Sequence, residues 1–138
     1  MNILVIAKDF KPKSGGIAEY THQVANHLNE MGDDVFVLSN KIEGSEEFDK
    51  SVEYEVIRRN LNKYNRLRFT TKIYRIMSNI FSKYDIDLVI NNDLSIAHYS
   101  LPVTKLFNKK TCVITHGIAV NVKNDIIRKY KAKFSVNL

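Results

Sequence analysis

The chain has 138 residues and a net charge of +6, with 44% hydrophobic and 26% charged residues. That size and balance describe one folded domain with its own core and exclude a disordered chain. A single cysteine, Cys112 in the apolar run Thr111-Cys112-Val113-Ile114, excludes an internal disulfide, and no Cys/His spacing suggests zinc.

The first apolar run, Ile3 to Ala7, is too short for the apolar region of a signal peptide and far too short to span a bilayer. No later run spans one, so a cytoplasmic protein is expected, held to a membrane at most peripherally. The positive charge suits nucleic acid, anionic lipid or phosphorylated ligands. No helix-turn-helix, zinc or aromatic-sheet motif supports nucleic acid, which is set aside as a partner.

Short β-branched runs alternate with longer helical patterns. Asn2 to Ala7 reads as a strand apolar on both faces, as at the centre of a sheet covered on both sides. A loop, Lys8 to Gly16, precedes a helix from about Ile17 to Met31, whose apolar positions are Ile17, Tyr20, Val24, Leu28 and Met31. Gly32 ends it. Val35 to Leu38 is a second strand, and the acidic stretch Lys41 to Lys50 reads as a surface loop. Tyr54 to Ile57 is a shorter strand near an edge. A helix from about Leu67 to Tyr84 follows, with Phe69, Ile73, Ile76, Met77, Ile80 and Phe81 on one face. Asp87 to Ile90 is a fourth strand, Ser95 to Phe107 a third helix, and Thr111 to Thr115 a fifth strand. Val122 to Tyr130 is expected to be helical, and Phe134 to Val136 a sixth strand cut short. Right-handed crossovers make this an α/β, Rossmann-like, doubly wound parallel sheet.

Ligands of such sheets bind beyond the carboxyl ends of the strands. Three segments leave strands there: Lys8 to Gly16, Asn91 to Ser95, and His116 to Ala119. In the first, Gly15 and Gly16 open a helix, where backbone amides and the helix dipole suit a phosphate. No Gly-Lys-Ser/Thr makes it a P-loop, and the dinucleotide spacing Gly-x-Gly-x-x-Gly is absent. A plain strand-to-helix turn is the competing reading. In the second segment, Asn and Asp are preferred helix caps. In the third, a histidine at a strand end is either a structural hydrogen-bonding residue or a group facing the ligand. His22, His27 and His98 fall in helical patterns and read as surface or packing residues. Cys112 reads as a small buried hydrophobe. A phosphoacceptor receiver domain shares the fold class, but needs paired acids after the first strand, where Asp9 stands alone.

The run Phe10-Lys11-Pro12-Lys13-Ser14-Gly15-Gly16-Ile17-Ala18-Glu19-Tyr20, then Val24 to Leu28, then Met31 to Leu38, resembles the start of glycosyltransferase family 4. Gly32-Asp33 stands where that family usually has Gly-His. The resemblance implies the N-terminal half of a GT-B fold. It implies a retaining enzyme that moves a sugar from a nucleotide sugar to a sugar or lipid-linked acceptor, without a cofactor or a required metal. It assigns Gly15 and Gly16 to the donor diphosphate and His116 to the neighbourhood of the transferred sugar, as the catalytic candidate. Acceptor contacts are assigned to Phe10, Tyr20, Asn92 and Asp93.

From Lys63 to Lys83 the chain is basic without an acid, and Arg66, Arg68, Lys72 and Arg75 suit an anionic membrane surface. The competing reading is a solvated face over an apolar core contact. Residues 1–138 are expected to form the acceptor-side domain alone. The donor-binding C-terminal domain would then be absent and the isolated chain inactive. Bacterial surface polysaccharide or glycolipid synthesis is the implied setting. A non-catalytic Rossmann-like module that binds a sugar or a partner protein is the alternative.

Overall fold

The computed structural model describes residues 1–62 and 65–116. Lys63, the expected helix at 122–130 and the expected strand at 134–136 lie outside the described residues. Among the described residues five strands form one parallel sheet: β1 (Asn2–Ile6), β2 (Asp34–Asn40), β3 (Glu55–Arg59), β4 (Leu88–Asn91) and β5 (Lys110–Val113). Their spatial order is β3-β2-β1-β4-β5. The chain steps outward from β1 to β3, then returns to place β4 on the other side of β1. The switch point therefore falls between β1 and β4, where such sheets open a crevice at their carboxyl edge.

Alternating side chains of β1 feed two cores. Leu4 and Ile6 pack with Leu38, Phe69, Ile73, Met77, Ile96 and Val103, under the helices α3 (Arg66–Lys83) and α4 (Leu94–Leu106). Ile3 and Val5 pack on the opposite face with Phe10, Ala25, Val37 and Tyr54, under α1 (Gly16–Glu30) and the short α2 (Glu46–Ser51). A strand buried on both faces has no polar alternation, which is why β1 reads as a continuous apolar run.

Two expectations about these helices are corrected. The stretch 41–50 is not all loop: α2 begins at Glu46, its first turn holding Glu46, Glu47 and Asp49 at the end where the helix dipole favours negative charge. Phe48 anchors it by packing edge-on against Phe10. The buried stripe of α1 is Ala18, Thr21 and Ala25, while Ile17, Tyr20 and Met31 are exposed. Small side chains let the helix lie close to the sheet and push its large ones to the rim. Cys112 is also exposed, because β5 ends the described sheet and turns that residue outward.

Phe10, His22, Phe48 and Tyr54 form an aromatic cluster beneath the loop after β1. The Tyr54 hydroxyl and His22 Nδ1 share a hydrogen bond of 2.6 Å. Burial, with help from the Asp49 charge, pushes the Tyr54 phenol far above its usual range. An unfolded chain releases that proton near about pH 10 while the folded one retains it, so stability is full below about pH 10 and falls as pH rises further. Tyr54→Phe should cost about 1 kcal/mol at neutral pH, since His22 Nδ1 loses its partner, and should flatten the alkaline loss. Urea denaturation at neutral and alkaline pH measures both.

Candidate functional site

The loop at 7–15 leaves β1, residues 92–93 leave β4, and residues 114–116 leave β5, so all three meet at one edge of the parallel sheet. Gly15 is the N-cap of α1 with φ 147° and ψ 152°, a backbone that only glycine adopts without strain. Among the described residues no side chain caps this helix. Its first hydrogen bond runs from the Glu19 amide to the Gly15 carbonyl at 3.0 Å, so the amides of Gly16, Ile17 and Ala18 lie before the intrahelical ladder starts. A Cβ at Gly15 or Gly16 would meet nothing within 4 Å among the described residues, against which both glycines are exposed. Open amides and the positive end of a helix dipole suit an anion.

One turn along α1, the exposed Tyr20 ring meets the His116 ring edge-on, with centroids 5.4 Å apart. His116 is half-buried, and its Nε2 lies 3.0 Å from Asn92 Oδ1. The amide Nδ2 of Asn92 donates to the Thr21 hydroxyl, which donates to the Ile17 carbonyl at 2.7 Å. Glycine loop, Tyr20 and imidazole thus line the same rim, next to the switch point.

The remaining expected residues divide. Asp93 caps α4, its Oδ1 accepting from the Ser95 amide at 2.8 Å, and it is half-exposed at the edge. Phe10 is 0% exposed and Asn92 1% exposed, so neither touches an acceptor in this conformation. Phe10 is held inside the aromatic cluster, and both polar ends of Asn92 are spent on Thr21 and His116. Arg66, Arg68 and Arg75 are exposed along α3, on the far face from α1, and Lys72 is half-buried.

Two functional supports escape sequence reasoning. Thr21 reads as a neutral helical residue, yet it links α1 to Asn92, 71 positions away. Arg58 binds Asp49 through Nε at 3.0 Å and Nη2 at 2.7 Å, and donates to the carbonyls of Lys11 and Asn40. It also lies over the Phe10 ring, 5.4 Å from the centroid. One guanidinium therefore fixes the loop that carries the glycines. The alternation of charge and apolar residues in β3 gives no hint of this role.

The Gly15–Gly16 angles also separate two kinds of glycine. Gly15→Ala is expected to cost about 1–3 kcal/mol of stability, since it forces an alanine into a glycine-only region. Gly16→Ala is helical and unhindered, and should leave stability equal or raised by up to about 1 kcal/mol. Thermal unfolding of both variants checks the contrast.

A doubly wound sheet with an open helix N-terminus and a histidine on one rim defines a Rossmann-like domain of the GT-B glycosyltransferase type. The chain belongs to Glycosyltransferase Family 4, whose family model matches residues 14–137. A glycosyltransferase from Rickettsia africae ESF-5 is 25% identical, with a TM-score of 0.73, over 99% of this chain and 34% of its own. Sucrose-phosphate synthase from Thermosynechococcus elongatus is 18% identical, with a TM-score of 0.73, over 99% of this chain and 40% of its own. Anabaena HepE, solved in complex with UDP and glucose, is 13% identical, with a TM-score of 0.70, over 99% of this chain and 35% of its own. The chain spans 34% and 40% of the length of the first two. None of the curated proteins compared matches it in sequence.

Proposed function

We propose that the chain is the N-terminal, acceptor-side domain of a retaining glycosyltransferase that uses a nucleotide sugar. The observation that carries this reading is the shared rim: α1, whose first amides at Gly16 open the helix, brings Tyr20 one turn further on against the His116 imidazole. In this reading the α1 amides and dipole hold the donor diphosphate and take up its charge as the bond to the sugar breaks. That positive end does the work a cation would otherwise do, so the reading requires no metal. His116 hydrogen-bonds a hydroxyl of the sugar and orients it. Tyr20 and Asp93 flank the path of the acceptor. The nucleotide's remaining contacts come from a second, donor-binding domain that closes over this rim.

The test is transfer from a panel of nucleotide sugars by the two-domain protein, comparing Gly16→Ala with the parent. A Cβ at Gly16 adds bulk beside the amides proposed to hold the diphosphate, so kcat/KM should fall at least about 10-fold while the fold stays stable. Unchanged kcat/KM would remove the phosphate role. Sugar binding without turnover in the parent would favour a non-catalytic module.

Peripheral membrane attachment at the cytoplasmic face is a second part of the proposal. It is supported by Leu67, 76% exposed, and Tyr74, 43% exposed, standing among Arg66, Arg68 and Arg75 on α3. Apolar side chains ringed by cations suit an anionic lipid surface, where each cation adds about 1 kcal/mol. A lipid-linked acceptor in surface polysaccharide or glycolipid synthesis would be met there. Among the described residues no helix is long and apolar enough to cross a membrane. Co-sedimentation should show binding to phosphatidylglycerol vesicles and little to phosphatidylcholine, with the difference lost in Arg66→Glu/Arg75→Glu. Equal binding to both vesicles would overturn it.

A further inference from the structure

The hydrogen bonds behind His116 run in one direction, and a backbone atom sets that direction. The Ile17 carbonyl can only accept, so the proton of Thr21, whose Oγ1 lies 2.7 Å away, is committed to it. The Thr21 oxygen must then accept from Asn92, which turns the amide nitrogen of Asn92 toward Thr21. The Oδ1 of Asn92 is left facing His116 Nε2 at 3.0 Å, and a carbonyl oxygen needs a donor there. Nε2 therefore carries a proton. In the neutral ring the lone pair is then on Nδ1.

The chain of bonds is well protected. Thr21 is 0% and Asn92 1% exposed, so water cannot stand in for either partner of the Thr21–Asn92 bond without entering the core. The Asn92 amide is also held through its own backbone, which donates to the Ile6 carbonyl at 2.8 Å. The Tyr20 ring blocks rotation of the imidazole from the side of α1. Three elements meet here: the first turns of α1, the end of β4 and the end of β5.

We propose that Thr21 and Asn92 are positioning residues that hold neutral His116 as its Nε2–H tautomer, so that Nδ1 accepts a hydrogen bond from a sugar hydroxyl. The role given to Nδ1 rests on the transferase reading, whereas the tautomer does not.

Two-bond 1H–15N correlation on the uniformly labelled full chain reads the tautomer directly, with His116→Gln identifying the signals. A single Nε2–H tautomer is expected, with Nδ1 unprotonated. Thr21→Val keeps the shape but removes both roles of the hydroxyl, so the Asn92 amide loses its fixed orientation. Both ring nitrogens should then move to intermediate shifts, and Thr21→Ser should restore the single tautomer. An Nδ1–H tautomer in the parent overturns the proposal. So does a Thr21→Val spectrum identical to the parent's. Should Thr21→Val fail to fold, the parent spectrum and Thr21→Ser still decide. Absence of sugar transfer by the two-domain protein would sink the function reading while leaving this result untouched.

Discussion

His116→Ala in the two-domain enzyme should lower kcat about 100- to 1000-fold and change stability by less than about 1 kcal/mol. The size follows from what one positioned hydrogen-bonding group contributes at a reacting centre. The small stability effect follows from its place. His116 is half-buried at a strand end and, among the described residues, holds one side-chain bond, to Asn92, and one edge contact, to Tyr20. Water can enter the vacated rim and donate to Asn92 Oδ1 in its place. Donor affinity should change little, since the amides of α1 are intact. A loss confined to KM would mean that His116 only helps binding. A variant within about 5-fold of the parent in kcat would remove it from the reaction.

Arg58→Met should cost about 3 kcal/mol of stability and loosen the glycine loop as well. The Arg58 and Asp49 side chains are 10% and 19% exposed, so the ion pair is largely out of water. Removing one partner of such a pair leaves a charge without compensation, which is the expensive case. The carbonyls of Lys11 and Asn40 also lose their donor. Methionine keeps much of the volume over Phe10, so the loss measures polar connections more than packing. Adding Asp49→Leu should recover part of it, because no carboxylate is then left alone. Urea denaturation gives the stability. A cost below about 1 kcal/mol would mean that Arg58 does not hold the loop.

The sequence displays the parts of this molecule that rest on local pattern. β1 is legible because a strand covered on both faces must be apolar throughout. The buried face of α3 is legible because Phe69, Ile73, Met77 and Ile80 recur at helical spacing. Asp93 is legible as a cap because capping is a contact with the next two residues. The glycine pair and His116 are legible through family resemblance more than through their own chemistry.

What stayed hidden depends on partners far along the chain. Phe10 sits in the expected acceptor loop, but Phe48 and Tyr54 draw it inside. Helical spacing puts Ile17, Tyr20 and Met31 on the apolar stripe of α1, although the family resemblance sets Tyr20 at the acceptor, because periodicity ranks residues by apolarity and ignores how closely a helix approaches its sheet. The small residues Ala18, Thr21 and Ala25 win that face. Asn92 reads as an exposed edge residue until Thr21 and His116 are brought to it from α1 and the end of β5. Cys112 reads as core because its neighbours are apolar, although β5 turns it outward. In each case tertiary contact overrode a correct local pattern.

The most direct measurement is a crystal structure of the two-domain protein with an intact nucleotide sugar. The account predicts the diphosphate within hydrogen-bond reach of the Gly16 and Ile17 amides, and a sugar hydroxyl on the Nδ1 side of His116. A nucleotide sugar seated away from the α1 N-terminus, with His116 facing only protein, would contradict it.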